Sequence, residues 1–457
     1  MKNPFSKAKN VHFIGIGGSG MCAIAEILLN RGYKITGSDN YNSDTLRRMR
    51  SLGISVTTKH SAENIKNTDL IIYSAAIKPN NPELIFAREK NMNCLERSVV
   101  LGILMSEYKN TIAISGTHGK TTTTAMTTQI FFDAKTKPTA VIGGYLPSIK
   151  SNALIGESET IICEACEYVD TFLQLHPKTA VLLNIEADHL DYFKNFKNLK
   201  LSFEKFVRQI KSKLIANGDD TNVLEIAKNT DIDLITFGFS RNNSYQAKFS
   251  LIDKKKSTFS VFLNDKKLFD IHLKIPGIHN TYNALASIAV AYENGIKLSD
   301  IKKSLENFVG VHRRFEILGK INNITIADDF AHHPTELRLT LNTATNLGYK
   351  RVIAIFQPHT YSRTYTFLSN FADALSIADK VIISQILPVR EKNIYNIHAE
   401  DLAKKINESV WFETFEEITN YILKNAKPND LVITLGGGNI YVCANMILEA
   451  LKFKKTV

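Results

Sequence analysis

Apolar positions along the chain follow two alternating spacings. Short apolar runs of strand length lie at residues 11–16, 33–37 and 69–74. Between the first two, residues 21–30 carry apolar side chains at helical spacing, and Gly32 follows as a plausible end of that helix. Strands that alternate with helices are typical of βαβ units. The pattern therefore predicts a mainly parallel sheet in about the first hundred residues.

The same alternation returns twice further along the chain. A strand at 111–115 precedes a threonine-rich helix that begins at Lys120, and further buried strands are expected at 160–163 and 179–185. Past Gly310 the pattern restarts, with strands expected at 324–327, 352–356, 380–384 and 431–435. The whole chain is therefore predicted to be an α/β protein with more than one sheet.

One stretch departs from this pattern. From residue 245 to 275, apolar and polar side chains alternate in two runs, with Asn264-Asp265 between them. That arrangement predicts an antiparallel hairpin. The next segment, 281–294, has helical spacing and ends before Gly295, so it is expected to be a helix.

Composition narrows the class of protein. A length of 457 residues favours two to four domains, and 44% hydrophobic with 22% charged residues is ordinary for a globular protein. Five cysteines are too few and odd in number for a secreted disulfide framework, which favours the cytoplasm. We expect no signal peptide, because the charged residues at the N-terminus lead into a strand interrupted by glycine, and glycines at 436–438 break the longest uncharged run. We therefore expect no membrane insertion.

The net charge is positive, but the basic residues are not concentrated in one part of the chain. Lys and Arg total 56 against 45 Asp and Glu, a net charge of +11. The basic residues are spread along the chain, as on a solvated surface, and are not interleaved with aromatic residues as in single-strand binding. Nucleic-acid binding is therefore a weak alternative, and no nucleic-acid partner is expected.

A phosphate-binding loop is the most specific motif. It lies between the strand at 111–115 and the following helix, and it reads Gly116-Thr117-His118-Gly119-Lys120-Thr121-Thr122. Glycines let backbone N–H groups approach phosphates, the lysine reaches the terminal phosphates, and the threonine hydroxyl suits Mg²⁺. The motif departs from the full P-loop pattern because Ile114 stands where the first glycine is expected. A glycine-rich turn without a ligand is the weaker explanation.

A second glycine-rich loop follows the first strand. It spans Gly15 to Gly20, with Asp39 about twenty residues later at the end of the next strand. Such a loop can hold a pyrophosphate while the acid meets a ribose hydroxyl. Alone it would fit a nicotinamide-dependent dehydrogenase or a turn without a ligand. Two phosphate loops of different type favour two different nucleotides.

Candidate metal-binding side chains follow two later strands; without the phosphate loop nearby, a surface or capping role would explain them. Glu164 follows one buried run, and Asp188-His189 follows another. Carboxylates and the loop threonine suit Mg²⁺, and an imidazole is a less usual ligand. Cys163 and Cys166 match the C-x-x-C pattern, but without a second pair we expect no zinc or redox role.

Polar clusters also mark the second half of the chain. They follow predicted strands or begin helices, where ligands of α/β proteins bind. They are His279-Asn280 with Asn283, His312-Arg313-Arg314-Phe315, residues 328–334 and residues 357–363.

Taken in this order, the motifs resemble the Mur ligase family over almost the whole chain. The resemblance implies three domains: 1–107 binding a UDP-sugar, 108–311 binding ATP, and 312–457 contacting the amino acid and ATP. The outer two would be Rossmann-like, and the central P-loop ATPase domain would combine a mainly parallel sheet with an antiparallel hairpin region. It also implies that the lactyl carboxylate of UDP-N-acetylmuramate takes the γ-phosphoryl group of ATP, and that L-alanine attacks the acyl phosphate.

The resemblance also implies roles for individual residues. Lys120, His189 and Arg314 would be catalytic, and Thr121, Glu164 and His189 would hold Mg²⁺. The ATP-binding set would be Gly116, Thr117, His118, Gly119, Lys120, Thr121, Thr122, Asn280, Asn283, Arg314 and Asp329. The UDP-sugar, muramoyl and amino-acid set would be Gly17, Ser19, Gly20, Asp39, His332, His359 and Arg363. A monomer or weak homodimer is expected.

Three positions depart from the family pattern. Cys166 stands where many members have Asp, Thr360 where many have Arg, and Phe330 where many have Tyr. The last two lie in the part of the site expected to bind the amino acid, where L-alanine would be distinguished from glycine or L-serine. A related ligase that attaches a whole peptide to the same UDP-sugar is the nearest alternative.

Overall fold

The computed structural model describes residues 4–6, 8–40, 43–228, 230–249, 258–389 and 391–454. It is an α/β structure with three sheets. Two compact units are distinguished. The first consists of Met1–Lys248, Ser260–Phe269 and Tyr282–Asn307, and the second of Phe249–Phe259, Asp270–Thr281 and Phe308–Val457. Each unit is described by itself.

The N-terminal sheet has five parallel strands. They are β1 Asn10–Ile14, β2 Lys34–Ser38, β3 Ser55–Thr57, β4 Leu70–Tyr73 and β5 Cys94–Glu96, in the order β3-β2-β1-β4-β5. The helices are α1 Ser19–Asn30, α2 Asp44–Ser51, α3 Pro82–Glu89 and α4 Arg97–Ser106, with a 3₁₀ turn at Ala62–Ile65. The chain turns into α1 at Gly15, whose φ of +83° is costly for any other residue.

The central sheet has ten strands. They are β6 Asn110–Ser115, β7 Thr139–Leu146, β8 Ser151–Leu154, β9 Thr160–Glu164, β10 Thr179–Leu182, β11 Lys213–Asn217, β12 Asp233–Gly238, β13 Tyr245–Phe249, β14 Thr258–Leu263 and β15 Lys266–His272. Their order is β15-β14-β13-β12-β11-β10-β6-β9-β7-β8. β6 pairs in parallel with β9 and β10, so the carboxyl ends of all three strands meet at one edge.

Helices join the strands of this sheet. They are α5 Lys120–Asp133, α6 Leu190–Phe193, α7 Phe196–Val207, α8 Thr221–Ala227, α9 Ile278–Glu293 and α10 Leu298–Asn307, with 3₁₀ segments at Pro147–Ile149 and Tyr168–Gln174. The ring of Phe172 stacks on Phe206 at 4.7 Å between centroids and meets Phe203 edge-on at 5.2 Å. All three rings are buried, so the 3₁₀ segment that follows β9 is anchored to α7.

The C-terminal sheet has six strands in the second unit. They are β16 Glu316–Ile321, β17 Ile324–Asp329, β18 Arg351–Phe356, β19 Lys380–Ile383, β20 Val410–Trp411 and β21 Asp430–Leu435, in the order β16-β17-β21-β18-β19-β20. Only the β16–β17 pair, among the pairs described, is antiparallel. The helices are α11 Pro334–Thr345, α12 Tyr361–Thr366, α13 Leu368–Leu375, α14 Ala399–Ala403, α15 Phe415–Asn425 and α16 Tyr441–Lys454.

The predicted fold class is confirmed. The ten strands named from their apolar runs lie within one to three residues of the observed bounds, and Asn264-Asp265 forms the turn between β14 and β15, both residues with positive φ. Part of the alternating stretch, 250–257, lies outside the described residues. The prediction omitted β7 and β8, among other strands. No described helix has the length and apolar content that crossing a membrane requires.

Gly102 provides a test of the packing in the first unit. A Cβ atom at this position of α4 would lie 2.3 Å from the carbonyl oxygen of Gln174. Gly102→Ala should therefore lower the free energy of unfolding by about 1–3 kcal/mol, since overpacking outweighs the helix propensity of alanine. Thermal denaturation measures this effect. Gly18→Ala is the control because its Cβ would meet atoms no closer than 3.6 Å. Equal or higher stability of Gly102→Ala would contradict the packing.

Candidate active site

The loop after β6 needs its two glycines. Gly116 has a φ of +136°, and a Cβ there would lie 2.9 Å from the Cβ of Leu183. Gly119 has a φ of +85° at the start of α5, and its Cβ would lie 2.6 Å from Oδ1 of Asn283. Both the backbone conformation and the close neighbours exclude a side chain. The loop therefore brings its backbone amides to the start of α5.

Asn184 holds this loop against the segment after β10. The backbone N–H of His118 donates to Oδ1 of Asn184 at 2.7 Å, and Nδ2 of Asn184 donates to the His118 carbonyl oxygen at 3.0 Å. The Thr117 hydroxyl accepts from the N–H of Glu186 at 2.9 Å. These bonds fix the loop backbone from a neighbouring strand end. His118 and the adjoining Thr117 are thus structural parts of the loop.

Lys120 is the charged centre of the loop. Its Nζ donates to the carbonyl oxygens of Gly116 at 2.5 Å and Thr117 at 3.0 Å, and it lies 2.9 Å from Oε2 of Glu167. Burial alone would lower the pKa of Lys120, but the neighbouring acidic groups, Glu167 foremost and then Cys166 and Glu164, together outweigh it and hold the pKa above its ordinary value. The ammonium is therefore charged at neutral pH.

Thr121 and Glu164 form an oxygen-rich pair beside Lys120. The Thr121 hydroxyl donates to Oε2 of Glu164 at 2.9 Å, and the Gly143 N–H donates to the same oxygen at 3.0 Å. A hydroxyl and a carboxylate are the donors that Mg²⁺ prefers. These two of the three predicted metal ligands are brought together and fit the ion.

His189 lies beside the partner of Lys120. Its Nε2 is 3.8 Å from Oε1 of Glu167 and 3.7 Å from Oδ2 of Asp188. Its ring centroid is 4.6 Å from that of Tyr168. The described contacts thus place His189 with Glu167, whereas Thr121 is placed with Glu164. Its φ of +54° is uncommon outside glycine and asparagine, a mark of constraint at a site.

The two predicted asparagines lie one turn apart at the start of α9, and both are buried. Oδ1 of Asn283 accepts at 3.1 Å from the hydroxyl of Thr123, which follows the buried Thr122 in the first turn of α5. Asn280 donates from Nδ2 to the Pro276 carbonyl oxygen at 2.7 Å. Asn283 therefore belongs with the phosphate loop, and Asn280 stabilises the entry into its own helix.

In the N-terminal loop, Asp39 contacts the loop itself. The Gly17 N–H donates to Oδ2 of Asp39 at 2.8 Å, and a Cβ at Gly17 would lie 2.8 Å from the same oxygen. A Cβ at Gly20 would lie 3.0 Å from Nη1 of Arg97. Asp39 therefore holds the turn, which the spacing to the glycines does not reveal. Ser19 starts α1, and its carbonyl oxygen accepts from Asn152.

In the second unit, Arg313 organises the loop ends of the sheet. Its Nε lies 2.8 Å from Oδ2 of Asp328, and its two Nη atoms donate to the carbonyl oxygens of Gly436 and Gly438 at 2.8 Å each. The guanidinium lies 5.0 Å from the centroid of the Phe330 ring. Arg313 thus holds the ends of β17 and β21 together.

Arg314 and Asp329 lie next to this cluster. The Arg314 guanidinium is 5.1 Å from the centroid of the Phe330 ring. The Asp329 carboxylate accepts from the N–H groups of Ala331 and Phe315 at 2.7 Å each. Burial raises the pKa of Asp329 to about 6, against the lowering effect of Arg314 and the two amides.

The remaining predicted residues also gather in the second unit. The rings of His332 and His359 meet edge-on at 5.7 Å, and Nη1 of Arg363 lies 3.5 Å from Nδ1 of His359. Thr360 follows His359 in the sequence and has φ +65° and ψ 149°, a backbone conformation that residues other than glycine rarely adopt. The three predicted side chains therefore share one end of the sheet, next to a strained residue.

Three family models match the chain in sequence. They are described as the Mur ligase family, catalytic domain, the Mur ligase middle domain, and the Mur ligase, glutamate ligase domain, over residues 10–109, 114–291 and 313–438. A curated relative, the UDP-N-acetylmuramate--L-alanine ligase of Acetivibrio thermocellus, is 46% identical in an alignment of 452 residues that covers 97% of this chain and 96% of the relative. The chain belongs to the Mur ligase family.

Two solved structures resemble this Mur ligase. The UDP-N-acetylmuramate-alanine ligase of Thermotoga maritima is 30% identical with a TM-score of 0.85, covering 97% of this chain and 99% of that one. A murein peptide ligase of Psychrobacter arcticus is 25% identical with a TM-score of 0.77, covering 97% and 98%. The likeness therefore extends over all three sheets.

Several site residues of this Mur ligase are not evident from the sequence. Arg97 lies against Gly20, Glu167 pairs with Lys120, and Asn184 clamps the loop. Asn184 and Glu167 stand at strand ends near predicted residues, and that position is the signal the sequence offers. The glycine run at 436–438 looks in the sequence like a break in an apolar run, but it ends a parallel strand and accepts from Arg313.

Asp329 should make stability depend on pH. Its raised pKa means that the folded state binds the proton more tightly than the unfolded chain, whose value is 3.8. This contribution to stability is complete below about pH 4 and is lost as the pH rises through about 6. Relative to Asp329→Asn, the wild-type free energy of unfolding should fall by about 1 kcal/mol between pH 5 and 7. Denaturant titration at both values measures it.

The matched control is the exposed Asp373→Asn, whose difference from wild type should be the same at both pH values. A wild-type advantage over Asp329→Asn that grew with pH would contradict the expected direction.

Proposed function

We propose that this Mur ligase joins L-alanine to the lactyl carboxylate of UDP-N-acetylmuramate, with ATP converted to ADP and phosphate, in peptidoglycan precursor synthesis. The observation that carries this is the largely buried, charged Lys120 in a strand-loop-helix arrangement that suits phosphate. Relatives named for the L-alanine reaction, which match almost the full length, support the substrates.

In the proposed mechanism, the lactyl carboxylate oxygen attacks the γ-phosphorus of ATP, the bond to the β-phosphate oxygen breaks, ADP leaves and an acyl phosphate forms. The unprotonated amine of L-alanine then attacks the acyl carbon, phosphate leaves and the nitrogen loses a proton to water, so an amide is formed. Phosphoryl transfer of this kind depends on positioning and charge neutralisation rather than on a side-chain nucleophile. Lys120 would neutralise the β- and γ-phosphates by exchanging part of its contact with Glu167 for phosphate oxygens. Within residues 116–122, the amides of Thr117 and His118 bond to Asn184, and the other loop amides would bind the remaining oxygens.

Thr121 and Glu164 would hold Mg²⁺, and His189 would approach it from the side of Glu167. Bound there, the ion would neutralise charge on the phosphate oxygens. The pair fits such an ion because two oxygen donors already lie 2.9 Å apart. Glu164 is itself oriented by the Gly143 amide, which fixes where its oxygens point.

The second unit would contribute to ATP and the amino acid. Asp329 would meet the ATP ribose, and Arg314 would add a positive charge for the phosphoryl group. His332, His359 and Arg363 would bind the amino acid and the muramoyl carboxylate, since a guanidinium and imidazoles suit carboxylates. Asn280 and Asn283 would lie on the adenine side. In the first unit, Gly17, Ser19 and Gly20 would bind the UDP-sugar, with Asp39 holding their turn.

We further propose domain boundaries near residues 107 and 311, a cytoplasmic location and a monomer or weak homodimer. The ranges of the three family models support the boundaries. Sedimentation velocity would test the oligomeric state.

The proposed reaction predicts which substrates release phosphate. With ATP, Mg²⁺ and UDP-N-acetylmuramate present, L-alanine should stimulate phosphate release more than glycine, L-serine or a peptide does, because the amine attack completes turnover. A coupled phosphate assay over this panel measures it, beside a test for nicotinamide oxidation. Faster release with a peptide would favour the peptide ligase, and nicotinamide turnover without phosphate release would favour a dehydrogenase.

Lys120→Ala should abolish turnover and leave UDP-N-acetylmuramate binding largely intact, since the Gly15–Gly20 loop is built by a different sheet. Phosphate release and calorimetric binding measure the two effects. Lys178→Ala, an exposed lysine, is the matched control and should keep both. Loss of UDP-sugar binding in Lys120→Ala would contradict the separate placement of the two sites.

A further inference from the structure

One hairpin of the central sheet contacts both phosphate loops. It consists of β7 and β8, which pair antiparallel at the edge of the sheet. In β7, the Gly143 N–H donates to the Glu164 carboxylate that also accepts from Thr121. In β8, Ser151 and Asn152 contact α1 and α2 of the N-terminal sheet. The hairpin is therefore a direct physical link between the two loops.

Asn152 uses both ends of its amide in this link. Nδ2 donates to the carbonyl oxygen of Ser19 and to Sγ of Cys22 at 3.1 Å, while Oδ1 accepts from Nη2 of Arg48 at 2.7 Å. Asn152 is buried, with 5% of its surface exposed. A buried amide with all these partners has one orientation, because any other leaves polar groups unpaired.

An ion pair supports the hydrogen bonds around Asn152. Arg48 forms an ion pair with Glu26, and its Nη1 donates to the Ser151 hydroxyl at 3.1 Å. That hydroxyl donates in turn to Oε2 of Glu26 at 3.1 Å. The Glu26 and Arg48 side chains are 11% and 23% exposed, so solvent screens the pair only in part. Each partner fixes two others, which gives the hairpin a defined register on α1.

The contact with Ser19 matters because Ser19 belongs to the glycine loop. Asp39 holds the loop at Gly17 from within the N-terminal sheet. Asn152 holds it at Ser19 from the central sheet. The loop is thus anchored on both sides, and the second anchor belongs to the hairpin that also orients Glu164. An error of about 1 Å in such positioning can cost about 100-fold in rate.

We propose that Asn152 is a positioning residue that holds the UDP-sugar loop in register with the ATP site through the β7–β8 hairpin. The proposal rests on the proposed function, because it assigns the Gly15–Gly20 loop to the UDP-sugar. Asn152 acts through Ser19 and need not touch substrate. Removal of its amide releases the start of α1 from the hairpin and leaves the ATP loop with its own contacts at Asn184 and Glu167.

The test combines binding and kinetics. For Asn152→Ala, the Kd of UDP-N-acetylmuramate measured by calorimetry without ATP should rise about 5- to 20-fold, since one to two buried hydrogen bonds are lost. The KM of UDP-N-acetylmuramate should rise in step, and the KM of ATP should change less than twofold. A merely structural defect would lower the active fraction and kcat without raising the KM of UDP-N-acetylmuramate relative to the KM of ATP.

Asn152→Asp keeps the acceptor for Arg48 but loses the donor to Ser19. It should therefore also raise the Kd and KM of UDP-N-acetylmuramate and change the KM of ATP less than twofold. It provides a second variant should Asn152→Ala fold poorly. Asn110→Ala is the matched control because the Asn110 amide bonds to Thr160 and Asn294, away from both loops. It should leave both KM values unchanged.

The outcomes distinguish a failure of the proposed function from a failure of the proposed role of Asn152. Absence of UDP-N-acetylmuramate binding by the wild-type protein would overturn the proposed function. Wild-type binding together with unchanged Kd and KM in both Asn152 variants would overturn the role of Asn152 alone.

Discussion

The candidate site of this Mur ligase depends on the pairing of one largely buried charge. Lys120 lies where water is largely excluded, and an unpaired ammonium there would cost several kcal/mol. The protein compensates with the Glu167 carboxylate and two loop carbonyls. This requirement explains why the loop backbone curls around the side chain at glycine positions. It also explains why the segment after β9 must pass close to the start of α5.

The order of strands brings these groups together. β6 lies between β9 and β10, so the chain leaving each of the three strands emerges at one edge of the sheet. Glu164 ends β9 and Glu167 lies in the segment that follows, while the segment after β10 contributes Asn184 and His189. The residues are far apart in sequence, yet parallel pairing places them close to the loop. The chemistry thus follows from topology as much as from the motif.

This topology also explains which parts of the candidate site can be predicted from the sequence. The sequence predicts Lys120 from the glycine-rich loop that joins a strand to a helix. It predicts Glu164 because this residue follows a continuous apolar run, and such runs mark buried parallel strands. Asp39 was predicted near the correct loop, but its bond to Gly17 depends on how closely the turn approaches. The β7–β8 hairpin was missed because Thr139–Leu146 includes two glycines and lacks a clear alternation. Asn152 meets Ser19 from 133 residues away, a contact that no local pattern encodes.

Cys166 shows how the charge balance of the site is kept. The resemblance to the family leads us to expect aspartate at this position, and an aspartate would place another carboxylate beside Lys120. Here burial raises the pKa of the Cys166 thiol to about 11, so the thiol is neutral at physiological pH. Glu167 is then the carboxylate that contacts the ammonium among the described residues. In the proposed mechanism, with one fewer negative charge to compete, an incoming phosphate would meet a lysine whose charge is less fully neutralised. The departure from the family pattern would therefore leave the proposed role of Lys120 intact and alter only the balance between carboxylate and phosphate around it.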